Sequence, residues 1–154
     1  MEEKLDIKVQ TGDFYGKRSY EICKRIFDLI SALIALILAS PFFIFIAMAI
    51  KVESKGKVIF GHTRIGKNGV PFKVFKFRSM YENSEEIFES LTKEQKEEYY
   101  KNFKLDNDPR ITKVGRFIRK TSLDELPQLI NIIKGDMSVV GPRPIVAKEI
   151  EKYG

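Results

Sequence analysis

The chain has 154 residues, with 27 lysines and arginines against 21 aspartates and glutamates, one cysteine (Cys23) and one histidine (His62). The length corresponds to one domain, and the single cysteine and histidine exclude an internal disulfide framework and a metal centre built from clusters of either residue. A hydrophobic content of 44% excludes a disordered tail, and the net charge of +6 favours anionic partners without specifying their class.

The first long element predicted is an apolar helix over residues 26–50, in which Asp28 is the one charged side chain. A continuous helix of that length would extend about 37 Å, enough to cross a hydrocarbon core of about 30 Å. A helix in a soluble core is rarely apolar on every side over such a length. We therefore predict a membrane-inserted helix at residues 26–50, between an N-terminal cytoplasmic or interfacial segment (residues 1–25) and a cytoplasmic domain (residues 51–154).

Pro41 interrupts the apolar block, because proline removes one intrahelical hydrogen bond and clashes with the preceding turn. We expect the helix to be broken at Ser40-Pro41, with the Ser40 hydroxyl available to bond the freed backbone where water is absent. Residues 17–25 and 51–67 flank the block and are both basic, and basic flanks stay in the cytoplasm. This pattern favours a segment that enters the membrane and returns to the same side; a kinked helix that spans the membrane is the alternative.

Beyond the block, residues 57–80 are rich in strand-forming residues, and Lys67-Asn68-Gly69 predicts the turn of a short β-hairpin. Residues 84–104 have a helical pattern, and Thr92 with Gln95 matches the capping box that begins many helices. Most charges of this second segment are expected on a solvated face of the helix.

The last third of the chain is predicted to be mostly helical. Residues 111–120 place apolar side chains at helical spacing with basic ones between them, which suits a helix on an anionic membrane surface and equally a helix packed against a core. Residues 126–133 continue as a helix that Gly135 ends, and a short charged helix follows the rigid Gly-Pro-Arg-Pro turn at 141–144. The predicted class is α+β: a membrane helix followed by a small, mostly helical domain with one short hairpin.

Asp124 and Glu125 are the candidates for chemistry. Ser122 and Glu125 also fit an ordinary capping box, and acids near a helix N-terminus are favoured by its dipole, so a purely structural role is an alternative. With Ser122 as the cap, however, Pro127 would fall where a backbone N–H is needed, whereas a helix starting at Asp124 places Pro127 in the tolerated first turn. Asp124 would then be ionised and face outward, able to attack phosphorus, and Glu125 could hold a divalent cation.

Lysine and arginine side chains elsewhere in this domain could bind phosphate, arginine through its planar fork. Any one of them could equally be an ordinary surface cation. We single out Arg143, because the prolines on both sides stiffen the backbone that holds it, and Arg78. The full set of candidate cations is Lys76, Arg78, Arg110, Arg116, Arg119 and Arg143.

Taken in order, these motifs resemble the bacterial sugar transferases, the monotopic polyprenyl-phosphate phosphoglycosyl transferases, from about residue 24 to residue 145. The resemblance rests on KRIFDLISALI at 24–34, the Ser40-Pro41 pair, RIGKNGVPFKVFKFRSM at 64–80 and DPRITKVGRFIRKTSLDELPQLINIIKGDMSVVGPRP at 108–144. Each motif alone is weak, but their order and spacing together are highly specific.

The resemblance implies a re-entrant helix, broken at Ser40-Pro41, with both ends in the cytoplasm at the bacterial inner membrane. It implies that Asp124 attacks the β-phosphate of a UDP-sugar and that UMP leaves. A polyprenyl (undecaprenyl) phosphate would then take the sugar phosphate from the covalent intermediate, as the first membrane step in making an exopolysaccharide, capsule or O-antigen-type glycan. Glu125 would help to hold Mg²⁺.

The resemblance also assigns phosphate binding to the basic residues of its motifs, Lys76, Arg78 and Arg143, and we add Arg110 and Arg116 as candidates. Family members continue past the Gly-Pro-Arg-Pro turn for several tens of residues, through a Pro-Gly-Ile-Thr-Gly-like segment that these 154 residues lack. We therefore expect part of the phosphate- or sugar-binding surface to be absent from them.

Two classes of function follow from these observations. The first is the transferase, and the alternative is a catalytically inactive or truncated membrane-anchored module that binds anionic lipid or a partner protein. Nucleic acid is not an expected partner, because the basic residues are mixed with acidic ones and an inserted helix would hold the protein at the membrane. No pattern in the sequence identifies the sugar or the oligomeric state.

Overall fold

The computed structural model describes residues 18–66, 69–102, 105–142 and 144–145. Its elements in chain order are α1 (Arg18–Glu53), β1 (Ile59–Ile65), β2 (Pro71–Phe77), α2 (Ser84–Glu89), α3 (Lys93–Asn102), α4 (Lys113–Lys120), a 3-10 turn (Leu123–Glu125) and α5 (Gln128–Lys134). β1 and β2 pair as a two-stranded sheet. The mixture of helices with a small hairpin confirms the predicted class, whereas the helix predicted after residue 145 lies outside the described residues.

The chain divides into two compact units. The first draws on Met1–Ser40, Gly61–Lys76 and Pro127–Gly154, and the second on Pro41–Phe60 and Phe77–Leu126. The boundary within α1 therefore falls between Ser40 and Pro41, the pair singled out from the sequence.

α1 is a helix of 36 residues whose apolar side chains are largely exposed. In the part of the chain that the structure describes, it is the one helix long and apolar enough to cross a membrane. Ile37 and Leu38, near its middle, are 70% and 71% exposed. A core helix of a soluble domain would bury such side chains, so this exposure favours a lipid environment.

The helical backbone continues through Ser40-Pro41, which corrects the break predicted from the sequence. Pro41 has no N–H to donate to the carbonyl of Ile37, four residues earlier. The Ser40 hydroxyl donates to that same carbonyl oxygen, at 2.7 Å. A side chain thus replaces the bond that proline removes, and the helix persists.

We expect Ser40→Ala to lower the free energy of unfolding by about 1–3 kcal/mol, because it leaves the Ile37 carbonyl without a partner in apolar surroundings. In a Pro41→Ala background the backbone N–H can bond that carbonyl, and the same Ser40→Ala change should cost little. Chemical unfolding in detergent micelles measures both differences. An equal effect of Ser40→Ala in the two backgrounds would contradict this pairing.

In the first unit, Asn131 joins α5 to β2. It is fully buried, its Oδ1 accepts a bond from the Phe75 N–H at 2.9 Å, and its Nδ2 donates to the Lys73 carbonyl at 2.7 Å. The side-chain amide thus pairs with β2 as the backbone of a further strand would. Nδ2 also donates to Asp136 Oδ2 at 3.2 Å, so the buried amide is well satisfied.

The C-terminal end of α5 is anchored to α1. Gly135 ends α5 in the left-handed conformation, with φ 95°, as the sequence predicted. The Arg25 guanidinium of α1 donates to the carbonyls of Ile132 and Ile133 at 2.6 and 2.7 Å. A cation at this end is also favoured by the helix dipole.

Asp28, the one charged residue of the apolar block, is buried within the first unit. Its carboxylate accepts bonds from Lys24 Nζ at 3.1 Å, Ser138 Oγ at 3.0 Å and the Val139 N–H at 3.1 Å. Lys24 also donates to the Ser138 hydroxyl. The Asp28 charge is therefore paired and hydrogen-bonded inside the protein, as a charged side chain within an apolar helix must be.

The second unit has its own hydrophobic core, to which α1, β2 and α4 each contribute. The buried cluster consists of Ile46, Ile50, Phe77 and Ile118, and the partly buried side chains packed against it are Phe43, Val58, Val114, Leu123 and Leu126. The core therefore joins the C-terminal part of the membrane helix to the segment that carries Asp124.

The start of α4 is fixed by groups from two other segments. The Glu53 carboxylate, at the last residue of α1, accepts bonds from the backbone N–H groups of Lys113 and Val114 at 2.6 and 2.8 Å. Thr112 is the N-cap, and its Oγ1 accepts a bond from the Gly115 N–H at 2.8 Å. These bonds satisfy donors that have no partner within the helix.

α4 packs against the core, one of the two roles left open by its sequence. Ile118 is 1% exposed and Val114 is partly buried, whereas Phe117 is 61% exposed. Gly115 allows close packing here, because a Cβ at this position would collide with the Ser79 carbonyl. α4 can therefore lie against this segment only with glycine at position 115.

We expect Gly115→Ala to lower the free energy of unfolding by about 1–3 kcal/mol, because the added methyl group meets backbone that cannot move aside. Gly141→Ala is the matched control, since a Cβ there meets only the Ser138 Cβ at 3.9 Å. Denaturant unfolding of the two variants measures the difference. Equal stability of both variants would rule out the close packing of α4.

Candidate active site

Asp124 and Glu125 lie in the 3-10 turn between α4 and α5. Ser122, just before the turn, has φ 58°, a left-handed conformation that is uncommon for residues other than glycine. Its side chain makes no capping bond, although its carbonyl accepts a bond from the Glu125 N–H at 3.2 Å. The capping box that was the structural alternative is therefore not formed, and strained backbone of this kind is often found at functional sites.

Asp124 is 9% exposed, which corrects the expectation that it faces outward from a helix N-terminus. α5 begins only at Gln128, with Pro127 as its N-cap, so the turn and the helix are separate elements. Leu123 and Leu126, on either side of the acidic pair, pack against the core of the second unit. This packing draws the turn inward and buries the Asp124 carboxyl.

Arg119, in the last turn of α4, lies within electrostatic range of Asp124. Its Nε donates to Ser79 Oγ at 2.7 Å, which orients the guanidinium. Although the residue is exposed overall, desolvation around the guanidinium lowers its pKa, and the negative charges of Asp124 and Asp108 act in the opposite direction. From the sequence, Arg119 is only one of several candidate cations, although the two-residue connection between α4 and the turn is a signal that it lies near Asp124.

Arg110 is held firmly by Asp108. Its Nε and Nη2 donate to the two carboxylate oxygens at 2.8 and 2.7 Å, and its guanidinium lies 4.8 and 4.9 Å from the ring centres of Phe88 and Tyr99. A bidentate pair between stacked rings is a strong structural contact. Phosphate binding by Arg110 stays a prediction, since much of its donor capacity is directed to Asp108.

Arg78 contacts the segment that follows α1. Its Nη2 donates to the Ser54 carbonyl at 2.9 Å and to the Ser54 hydroxyl at 2.8 Å, and its Nε is buried with no hydrogen-bond partner in the described part of the chain. The guanidinium occupies the space that a Cβ on Gly56, at φ 106°, would need. Arg78 therefore fixes the C-terminal end of α1, where a cation is favoured.

The remaining predicted residues are distributed over both units. Arg116 is exposed on α4 in the second unit, and Lys76 is half-buried on β2 in the first unit. Arg143 lies outside the described residues. In the second unit, four charged side chains that include the candidate nucleophile interact electrostatically: Asp108, Arg110, Arg119 and Asp124.

Comparison with known proteins identifies the family. The family model described as bacterial sugar transferase matches residues 19–154. The chain is 52% identical over 154 residues to an undecaprenyl-phosphate galactose phosphotransferase of Salmonella typhimurium, covering 98% of this chain and 32% of that protein. The chain belongs to the bacterial sugar transferase family.

Two other relatives of the chain have related names. It is 50% identical over 135 residues to the exopolysaccharide production protein ExoY of Rhizobium meliloti, covering 86% of this chain and 60% of that protein. It is 46% identical over 134 residues to a UDP-glucose:undecaprenyl-phosphate glucose-1-phosphate transferase of Escherichia coli, covering 86% of this chain and 26% of that protein. The chain thus spans about a third or less of the length of two of these relatives.

Mg²⁺ binding by Glu125 stays a prediction. In the described residues, no group of three or more histidine, cysteine, aspartate or glutamate side chains could hold a metal ion. Mg²⁺ is commonly held by one or two carboxylates together with water and substrate phosphates. One carboxylate, that of Glu125, would be enough as the protein's share of such a site.

The Asp108–Arg110 pair should make stability depend on pH. Burial alone raises the pKa of Asp108, but the bonds from the Arg110 side chain and backbone and the Arg110 charge hold it below its ordinary value of 3.8. A lowered folded-state pKa adds stability that is present above the unfolded-state pKa and is lost as the pH falls through the folded-state pKa.

We therefore expect the free energy of unfolding of the wild type to decrease below about pH 4, and Asp108→Asn to be less stable at pH 7 with a weaker acid dependence. Denaturant unfolding between pH 3 and pH 7 measures both quantities. Parallel pH profiles for the wild type and the variant would contradict the role of this pair.

Proposed function

We propose that the chain transfers a sugar-1-phosphate from a UDP-sugar to a polyprenyl phosphate, with Asp124 as the nucleophile. Relatives named for this reaction share about half of their aligned residues with the chain. The observation that carries the proposal is local: a carboxylate in a strained turn beside Arg119, whose guanidinium is oriented by Ser79. A nucleophile and a phosphate-binding cation fixed side by side are what phosphoryl transfer needs.

The proposed reaction has two displacements at one phosphorus atom. An Asp124 carboxylate oxygen attacks the β-phosphorus of the UDP-sugar, and the bond from that phosphorus to the bridging oxygen breaks, so that UMP leaves with the electron pair. A phosphate oxygen of the polyprenyl phosphate then attacks the same phosphorus and displaces Asp124. The products are the free enzyme, UMP and a polyprenyl-diphosphate sugar.

The charges around the turn suit this chemistry. Arg119 would neutralise phosphate oxygens as negative charge moves towards the leaving group, and Arg116, Lys76, Arg78 and Arg143 are further candidates for phosphate contacts. Mg²⁺, held in part by Glu125, would supply the remaining charge neutralisation when bound. A carboxylate nucleophile has no proton to lose in this step, so the proposed attack would need no general base.

We further propose that α1 is re-entrant, with both ends at the cytoplasmic face of the inner membrane. The basic flanks of the apolar block favour this topology, and Pro41, which removes one intrahelical hydrogen bond, is where the helix would bend. The acceptor's phosphate is confined to the membrane interface by its lipid tail, so the catalytic turn must be held there. The product would enter exopolysaccharide, capsule or O-antigen-type glycan synthesis.

The purified membrane protein should release UMP when it is supplied with UDP-galactose or UDP-glucose, Mg²⁺ and undecaprenyl phosphate. Asp124→Asn should lower this rate at least about 1,000-fold, because an amide cannot act as the nucleophile. Asp106→Asn, an exposed aspartate with the same change of charge, is the matched control and should retain the wild-type rate.

Normal turnover by Asp124→Asn would contradict the covalent mechanism. Binding of anionic lipid by the wild type, with no UMP release and no effect of Asp124→Asn, would instead favour a non-catalytic membrane module.

A further inference from the structure

An open cavity of about 730 Å³ lies between α2 and α3, entirely within the second unit. Its walls contain three aromatic side chains, Phe88, Tyr99 and Tyr100, together with Arg110. The reciprocal Thr92–Gln95 capping box, with bonds of 3.0 and 3.3 Å, fixes the start of α3 as the sequence predicted. The two helices therefore present a defined surface.

The aromatic side chains form one cluster. Phe88 packs edge-to-face on Tyr99 and Tyr100, with ring centres 5.0 and 6.2 Å apart, and the two tyrosine rings are 5.8 Å apart. The Arg110 guanidinium lies against Phe88 and Tyr99. Tyr100 is 64% exposed, so its ring is the apolar surface that remains for a ligand.

The charge of the cavity disfavours a phosphate group. Arg110 is neutralised by its bidentate partner Asp108, whereas Glu85 and Glu86 line the cavity with no ion-pair partner in the described part of the chain. Carboxylates repel a diphosphate but accept hydrogen bonds from hydroxyl groups. An aromatic ring beside exposed acceptors suits a neutral ring with several hydroxyl groups, such as a hexose.

The cavity and the turn that carries Asp124 both belong to the second unit, and a chain of charged residues relates them. Arg110 forms part of its wall and pairs with Asp108, and both residues interact electrostatically with Arg119, as does Asp124. In a nucleotide-sugar donor, the sugar is separated by one oxygen atom from the phosphorus that Asp124 would attack.

We propose that the cavity between α2 and α3 binds the neutral hexose of the nucleotide-sugar donor, with Tyr100 packing on the sugar ring and Glu86 accepting bonds from its hydroxyl groups. This inference rests on the proposed function, and it locates the choice of sugar in α2 and α3. The nucleotide and its phosphates bind elsewhere.

Titration calorimetry on the full chain in detergent, with Mg²⁺, tests the inference by comparing UDP-galactose with UDP. Asp124→Asn serves as the background, so that no chemistry accompanies binding. In this background we expect Tyr100→Ala to lower the affinity for UDP-galactose about five- to tenfold and to leave the affinity for UDP unchanged within about twofold. Tyr100→Phe should bind as its parent does. Lys101→Ala, the next residue along α3 and also exposed, is the control and should change neither affinity.

Glu86→Gln is a second variant that preserves the shape of the side chain. It should lower the affinity for UDP-galactose but not the affinity for UDP. Equal weakening of both ligands by Tyr100→Ala and Glu86→Gln, or no effect of either variant on UDP-galactose, would overturn the inference while the transferase proposal stands.

Saturation-transfer NMR with methyl galactoside examines the cavity without a nucleotide. We expect saturation transfer to this glycoside in the wild type and its loss in Tyr100→Ala. Saturation transfer that depends on Tyr100 would support sugar binding in the cavity even if the protein releases no UMP. The absence of UMP release would in that case refute the transferase proposal alone. Saturation transfer that Tyr100→Ala leaves unchanged would count against the cavity as the sugar site.

Discussion

A long apolar helix must have its few polar groups satisfied by contacts within the protein wherever water is absent, and this constraint shapes the contacts of α1. α1 meets this constraint at three positions. The Asp28 carboxylate accepts hydrogen bonds from Lys24 and Ser138. The Ser40 hydroxyl donates to the Ile37 carbonyl, which Pro41 leaves without a backbone donor. The Glu53 carboxylate accepts a bond from a backbone N–H at the start of α4. These contacts also join α1 to later segments of the chain, through Asp28 within the first unit and through Glu53 within the second.

The position of the catalytic turn follows from the same contacts. Glu53 fixes the start of α4, and Gly115 lets that helix pack closely against Ser79. Ser79 in turn accepts a bond from Arg119, at the other end of α4 and just before the turn that holds Asp124. The C-terminal end of α1 is therefore connected to the turn that carries Asp124 through a single short helix, α4. For a reaction whose acceptor is anchored in lipid, this connection would hold the site near the membrane surface.

Local sequence signals predicted much of the fold, because the interacting groups are close in the chain. Thr92 and Gln95 form the predicted capping box, and Gly135 ends α5 in the predicted left-handed conformation. The site was harder to predict because its environment is built by distant residues. The burial of Asp124 comes from core packing around the turn, and the rings that stack on Arg110 belong to α2 and α3. Residue type identified the pair that could do chemistry, but spacing alone could not distinguish a phosphate-binding arginine from one that is held by a carboxylate.

In the proposed mechanism, Asp124 becomes covalently bonded to a sugar phosphate. Intact-protein and peptide mass spectrometry of the wild type, after incubation with UDP-galactose and Mg²⁺ but no acceptor, measures this directly. We expect a mass increase of one hexose phosphate on the peptide that contains Asp124, lost again when polyprenyl phosphate is added. UMP release with no adduct on that peptide, or an adduct on another side chain, would contradict it.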